Sequence, residues 1–323
     1  MSRNIDQWPA PRESKKLKVI IASASRSGTL GLYKAMKILG YKPYHMYECC
    51  AIGGVPHMKV LKEAVTSEHN RLSGIKKYTK ADYDKWLADY DCVVEIPSYV
   101  GPDLIQAYAQ DPDVKFIFTE RPPEKWAVSV NNTVAGVVAA GDRFPFSILK
   151  YFDTTLYEFF TLNKVMYGAL TGCTMPGHPD NERLLQKWYT DYVKTVKAIV
   201  PADRLCHIQL SDGLNWEKIC PFLDLPIPTE EYPDRNEPEK FKARVEGFLK
   251  SKVISLAFVL ALQVHCHDGN NILDPDRGIN VLIFLAQMIH RAILHPQALP
   301  GILRVVNGRH GSTQTRSGSG IHA

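Results

Sequence analysis

Short runs of branched apolar residues alternate with longer stretches at helical spacing over the first two thirds of the chain. Residues 17–22 (LKVIIA) follow the basic pair Lys15 and Lys16 and end in small polar residues, the pattern of a buried parallel strand. Leu30, Leu32, Ala35, Met36 and Leu39 then recur at helical spacing and stop at Gly40, which predicts a helix over 30–39. Residues 41–46 predict a second short strand, and 55–90, polar and Lys-rich, a helical region. A third strand is predicted over 92–95, closed by Pro97, with a helix over 103–109. Residues 114–119 are the clearest strand after the first; a helix opening at Pro122-Pro123 follows, since proline is tolerated in a first helical turn. Residues 205–210 predict the last strand. Strands alternating with helices from 17 to 210 predict an α/β fold, a parallel doubly wound sheet with its site at the carboxyl ends of the strands.

Two regions break the pattern. The aromatic-rich stretch 134–185 predicts helices over the open end of the sheet, placed to shape an acceptor pocket, although such aromatic spacing is more often core than ligand box. Near the C-terminus, 253–264 and 281–289 are apolar runs shorter than the roughly 20 residues a spanning helix needs. Packing on the domain is the first expectation for them, with a helical hairpin or peripheral membrane contact through 253–294 as the alternatives. The expected division is a flexible segment 1–16, a main domain 17–248, an apolar helical extension 249–307 and a Gly/Ser/Thr-rich disordered tail 308–323.

Composition narrows the classes further. The chain has 323 residues, 39 Lys plus Arg against 34 Asp plus Glu, a net charge of +5, 45% hydrophobic and 23% charged residues, which excludes a largely disordered, collagenous or histone-like protein. Seven cysteines without CxxC spacing suggest neither a disulfide framework nor a zinc ribbon, and the polar, Pro-bearing N-terminus is not that of a secretory signal, so a reducing, cytoplasmic setting is expected. Lys15, Lys16 and Lys18 lack interleaved aromatics and read as a solvated face, so no nucleic-acid partner is expected.

The most informative segment is Ser23-Ala24-Ser25-Arg26-Ser27-Gly28-Thr29, between the first strand and the first helix. A loop there aims backbone N–H groups and a helix N-terminus at one spot, an anion site suited to phosphate or sulfate. Gly28 permits close approach of the backbone, Arg26 supplies charge and a planar fork of donors, and Ser27 and Thr29 add hydroxyls. The nucleoside-triphosphatase pattern GxxxxGKS/T fails, since no Lys precedes Ser27 or Thr29 in the required place and the leading Gly is absent, so ATP hydrolysis is disfavoured. Taken alone, Arg-Ser-Gly-Thr is equally an ordinary strand-to-helix turn. The second segment, 119–129 (TERPPEKWAVS), ends a strand and enters a helix, with Arg121 and Ser129 eight residues apart and able to converge on one phosphate.

Together the two segments resemble the signature of sulfotransferases that use 3′-phosphoadenosine-5′-phosphosulfate (PAPS). Five blocks in family order carry the resemblance, most closely to the fungal, plant and invertebrate branch: SRSGTLGL at 25–32, LGYKPYHMYE at 39–48, Glu95-Ile96-Pro97, RPPEKWAVS at 121–129 and NWEKICPFLDLPIP at 215–228. The resemblance implies a P-loop sheet of sulfotransferase type in which Ser25, Arg26, Ser27, Gly28 and Thr29 cradle the 5′-phosphosulfate and Arg121 and Ser129 grip the 3′-phosphate. This chain departs from the family at Ser25, where Gly is usual, at Ser27 for Thr, at Glu95 for Asp and at Pro122 for Asp.

Sulfonyl transfer requires stabilisation of charge on the sulfonate and bridging oxygen, an in-line acceptor and a base. Arg26 is the charge stabiliser. Glu95, where better-known sulfotransferases place a catalytic His, and His45, beside Glu48, are the two candidates for the base, with a purely structural role for either as the alternative. The implied reaction is transfer from PAPS to a hydroxyl of a small apolar or phenolic acceptor, without metal; a homodimer is a candidate assembly. Two rivals stand beside it: a dehydratase or cyclase reusing the fold without net sulfonation, and a nonenzymatic nucleotide-binding or membrane-associated partner. His265-Cys266-His267 lacks the second pair a tetrahedral metal site needs, Asn131-Asn132-Thr133 reads as an unused glycosylation sequon, and Asp234-Arg235-Asn236 is a candidate to approach the nucleotide.

Overall fold

A computed structural model of the chain describes residues 2–11, 13–233, 243, 245–252 and 255. Five strands, β1 (Val19–Ile21), β2 (Pro43–Tyr44), β3 (Cys92–Val94), β4 (Lys115–Glu120) and β5 (Leu205–Gln209), form one parallel sheet in the order β2-β3-β1-β4-β5. The helices are α1 (Thr29–Ile38), α2 (Gly54–His69), α3 (Lys80–Trp86), α4 (Ile96–Val100), α5 (Pro102–Ala109), α6 (Pro123–Asn131), α7 (Val134–Gly141), α8 (Phe146–Leu149), α9 (Thr154–Thr171), α10 (Asn181–Ile199) and α11 (Trp216–Leu223). A π-helical turn, Glu48–Ile52, leads into α2.

The continuous apolar strand runs have their cause in two-sided burial. Ile20, Val93, Phe116 and Phe118 enter the larger core with Met58 of α2, Phe160 of α9 and Tyr189 of α10. Their neighbours Val19, Ile21, Cys92, Val94 and Ile117 enter a second core with Leu32 of α1 and Ile219 of α11. Each fully buried branched or aromatic side chain contributes about 1.5–3 kcal/mol relative to exposure.

Strand order decides where a site can form. β1 lies between β3 and β4, with Ile21 opposite both Val94 and Ile117. The chain therefore leaves the sheet on either side of β1 through the residues that follow β3 and β4, a topological switch point that collects three loops.

Several expectations are corrected. Glu95 is not in the third strand: it follows Val94 in a left-handed turn, and Pro97 sits in the first turn of α4 rather than closing the strand. Part of segment 1–16 packs on the domain. Ile5 is buried, Asn4 donates to Glu63 Oε2 through its backbone N and Nδ2 (2.6 and 2.9 Å), and Ile5 N donates to Glu63 Oε1 (3.3 Å). Tyr78 OH completes the set at 2.5 Å. A buried carboxylate needs such donors, so the N-terminal segment completes a site it had no sequence signal for.

In the stretch 134–185, Val134, Val137, Val138, Phe159 and Phe160 join the larger core, whereas Phe144, Tyr151 and Phe152 are exposed. The boundary expected after 248 falls inside helical residues 245–252, where Phe248 meets the Phe159 ring at 4.9 Å and Leu249, at the start of the extension, is buried in the same core. Among the described residues no helix is long and apolar enough to cross a membrane. The apolar runs at 253–264 and 281–289, His265-Cys266-His267, Asp234-Arg235-Asn236 and the tail 308–323 lie outside the described residues but for Ser255.

Candidate active site

The loop leaving β1 has its carbonyls tied from behind. The Tyr192 hydroxyl donates to Ala22 O (2.7 Å), Trp126 Nε1 to Ser25 O (2.8 Å), Arg121 Nη1 to Arg26 O (2.8 Å) and Thr119 Oγ1 to Ser27 O (2.5 Å). Ser27 N closes a turn on Ala24 O, and Leu32 N begins α1 on Gly28 O. With its carbonyls held away, the loop presents amides, together with those of the first turn of α1, to whatever binds in its bowl. Ser27 Oγ is buried with no hydrogen-bond partner among the described residues, and such an atom costs free energy until something satisfies it.

Gly28 has φ +84, and a Cβ built on it would meet Leu214 Cδ1 at 2.9 Å and Leu210 Cδ1 at 3.0 Å. The glycine is therefore required by its backbone angle and by two leucines packed behind the loop, in addition to any approach of a ligand. Gly28→Ala is expected to lower stability by about 1–2 kcal/mol through the left-handed backbone alone. The fall is read as a lower urea midpoint at unchanged m value; an unmoved midpoint would show that the angle is not required.

Four non-glycine residues among those described have positive φ, and two of them are Arg26 (φ 69) and Glu95 (φ 58). The other two, Cys173 and Asp224, lie at helix C-termini, where such angles are common. Strained angles of this kind persist where neighbours over-determine them, and they gather at functional sites. Arg26 is held by the Arg121 guanidinium on its carbonyl. Glu95 is held by its own N–H on Ile21 O (3.2 Å) and by Ser98, whose N and Oγ both donate to Glu95 O.

That turn aims the Glu95 carboxylate at the loop. Oε2 accepts from Thr29 Oγ1 (2.7 Å) and Oε1 lies 2.9 Å from His45 Nε2. His45 Nδ1 accepts from Tyr47 N (3.1 Å), so the ring proton sits on Nε2 and is donated to Glu95. The two base candidates are thus one hydrogen-bonded pair. Burial pushes the Glu95 carboxyl up, but His45, Thr29 and Ser25 outweigh it and hold the group below the usual carboxylate range. Beneath His45, Glu48 accepts from His45 N (3.2 Å) and from Tyr33 OH (2.5 Å), and the Tyr33 ring lies 4.9 Å from the imidazole.

On the opposite side of β1, Arg121 and Ser129 both meet Arg26: Arg26 Nε is 3.4 Å from Ser129 Oγ, and Arg121 Nη1 is on the Arg26 carbonyl. Burial pushes both guanidinium groups below their ordinary value, with Glu95 partly restoring Arg26 and Tyr189 partly restoring Arg121; both stay cationic at neutral pH. The backbone of Arg121 is fixed by the Tyr189 hydroxyl (3.1 Å), and Trp126 stacks on Tyr189 with ring centroids 4.6 Å apart. α6 starts without a side-chain cap at Pro122, so this packing supplies the order that an acidic cap would have given.

All the sequence candidates, Ser25, Arg26, Ser27, Gly28, Thr29, His45, Glu95, Arg121 and Ser129, therefore lie on the loop itself or one to two contacts from it. Residues not singled out as site candidates complete the arrangement. Thr119, Tyr189 and Tyr192 anchor the loop or its flank, and only the buried face of a helix as long as α10 hinted that its tyrosines look inward.

A family model described as a sulfotransferase domain matches residues 18–241. A curated protein named Ava biosynthesis cluster protein M, from Aspergillus versicolor, is 30% identical over 220 residues, covering 67% of this chain and 80% of that one. The crystal structure of a sulfotransferase from Alicyclobacillus acidocaldarius aligns at 14% identity over 76% of this chain and 96% of that one, with a TM-score of 0.33.

Proposed function

The chain belongs to the sulfotransferase domain family, and on that premise we propose that it transfers a sulfonyl group from PAPS to a hydroxyl of a small acceptor. Thr29 is the observation that carries this reading: its backbone belongs to the anion loop and its hydroxyl donates to Glu95, so donor loop and base are one hydrogen-bonded unit. The residues present fit a nucleotide donor with two anionic ends. An amide-lined bowl with an unpartnered Ser27 hydroxyl suits the 5′ group, and Arg121 with Ser129, one contact away, suits a second phosphate.

When bound, the donor supplies an activated sulfonate and a good leaving group. Arg26 contributes fixed positive charge beside it, and the loop amides add dipoles that need no reorganisation. Glu95 takes the proton of the acceptor hydroxyl as the new O–S bond forms and the bond to the bridging oxygen breaks, releasing 3′-phosphoadenosine-5′-phosphate. His45 is a positioning residue: both of its nitrogens are committed, Nε2–H to Glu95 and Nδ1 to Tyr47 N, which favours Glu95 as the base. The exposed Tyr47 and Ile52 on the turn that follows His45 favour an apolar or phenolic acceptor, and the name of the Aspergillus versicolor relative favours a place in a biosynthetic pathway.

Titration with 3′-phosphoadenosine-5′-phosphate followed by calorimetry tests the reading. Saturable binding is expected, with incorporation of label from PAPS into a panel of phenols and alcohols. No heat at millimolar ligand would sink the sulfotransferase reading; binding without any sulfonated product would favour a reaction other than net sulfonation.

A further inference from the structure

We propose that the apolar run 253–264 docks on the exposed aromatic face formed by α8 and the turn into α9, so that a segment of the same chain covers it; the inference depends on neither the donor nor the reaction. Phe144, Ile148, Tyr151 and Phe152 each leave more than half of their surface to solvent, and all four fall between positions 144 and 152. Single apolar residues are ordinary at a surface, but four large ones in one short stretch mark a face that takes a partner. The Tyr151 ring lies 6.0 Å from that of Tyr157, which extends the face onto the first turn of α9.

The path of the chain selects the occupant. Phe248 meets Phe159, and Lys252 Nζ donates to Thr155 Oγ1 (3.4 Å), so four residues forward along 245–252 correspond to four residues back along α9. The two helices run antiparallel there, and the later one heads for the start of α9. Ser255 Oγ donating to Ser251 O (3.0 Å) is the same helical step taken once more. One further step of this kind brings position 256 level with Tyr151 and Phe152, at the point where the apolar run begins.

The chemistry of the run matches the face. Residues 253–264 (VISLAFVLALQV) carry no charge, and Leu256, Val259 and Leu260 repeat, eleven positions on, the spacing of Val245, Phe248 and Leu249, which pack on the larger core. Lysines border the face: Lys150 stands over the Tyr151 ring and Lys62 over the Tyr157 ring. They are already paired, Lys62 with Glu158 (2.5 Å) and Lys150, together with Lys164, with Asp142 (3.3 and 2.9 Å). With these lysines neutralised, the face offers an anionic bilayer little beyond Arg143, whereas an uncharged run needs no charge at the rim. Covalent attachment a few residues away also gives the run a high effective concentration that no separate partner has.

The test places the photocrosslinker p-benzoylphenylalanine at position 152 of the full chain and maps the adducts by mass spectrometry. Crosslinks within one chain to 253–264 are expected, and none to that run from the same group at Leu72, which is equally open to solvent. Hydrogen exchange supplies the second readout. Amides of 253–264 should exchange about 10-fold or more faster in the double variant Tyr151→Ser/Phe152→Ser, the population equivalent of losing the burial of one large side chain. Both positions are exposed, so the variant opens no core, and Leu256→Ser/Leu260→Ser should abolish the crosslink from the other side of the contact. Crosslinks joining two copies, or labelling of lipid alone in phosphatidylserine vesicles, would overturn the inference in favour of self-association or a membrane. Absence of the crosslink with unchanged exchange would overturn it outright, and none of these results bears on the sulfotransferase reading.

Discussion

Glu95→Gln is expected to lower kcat by about 10²–10⁴-fold, the range a positioned general base contributes, with affinity for 3′-phosphoadenosine-5′-phosphate little changed. The amide keeps the shape of the side chain and one oxygen for Thr29, so the loop stays built, but it cannot accept the acceptor's proton. His45→Ala should cost less in kcat, because the carboxylate survives, and should move the acid limb of the rate profile. In the native protein that limb is expected below the usual carboxylate range, since His45, Thr29 and Ser25 together hold Glu95 low against burial. Removing His45 leaves burial less opposed, and the limb should shift to higher pH. Linkage gives the same sign for stability: a depressed native value means that the contribution of Glu95 is full above an unfolded value of about 4.3 and is lost as pH falls through the native one. Near-normal turnover in Glu95→Gln with a dead His45→Ala would transfer the base to the imidazole.

Arg121→Ala is expected to weaken binding of 3′-phosphoadenosine-5′-phosphate by about 30-fold to several thousand-fold, from the roughly 2–5 kcal/mol lost when one partner of a buried hydrogen-bonded charge pair is truncated. The breadth of the loss follows from two roles. Arg121 supplies charge at the proposed 3′-phosphate site, and it also holds the Arg26 carbonyl and with it the left-handed angle of the loop. The variant should therefore weaken 5′-AMP as well, whereas Ser129→Ala, which leaves the carbonyl anchor in place, should weaken mainly the 3′-phosphorylated ligand. Calorimetry showing unaltered affinity in Arg121→Ala would remove Arg121 from the site.

The strands were legible because parallel burial on two faces leaves unbroken branched runs, as at 17–22 and 114–119, and the anion loop because glycine and hydroxyl residues at a strand-to-helix junction carry a local signal. The eight-residue spacing from Arg121 to Ser129 was legible for the same reason: Arg121 lies in the turn before α6 and Ser129 within α6, close together along the chain. Contacts between distant positions were not. Thr29 and Glu95 are 66 positions apart, and nothing near either names the other. Glu95 read as the end of a strand because its neighbours are apolar, and its left-handed turn depends on Ser98 and on a carbonyl of β1. The N-terminal segment read as flexible because Ile5 stands among polar residues; its partner Glu63 lies on α2, 58 positions away.

The way the loop carbonyls are tied also sets the order in which the protein can mature. Tyr192 reaches Ala22 over 170 positions, Trp126 reaches Ser25 over 101, Arg121 reaches Arg26 over 95 and Thr119 reaches Ser27 over 92. Loop-closure entropy makes such non-local pairings late events in folding. During synthesis, the bowl cannot acquire its native backing until α10 has emerged, although the bowl itself is encoded within the first thirty residues. The proposed nucleotide binding then requires α10, and a fragment ending before that helix is expected to carry the motif without the binding.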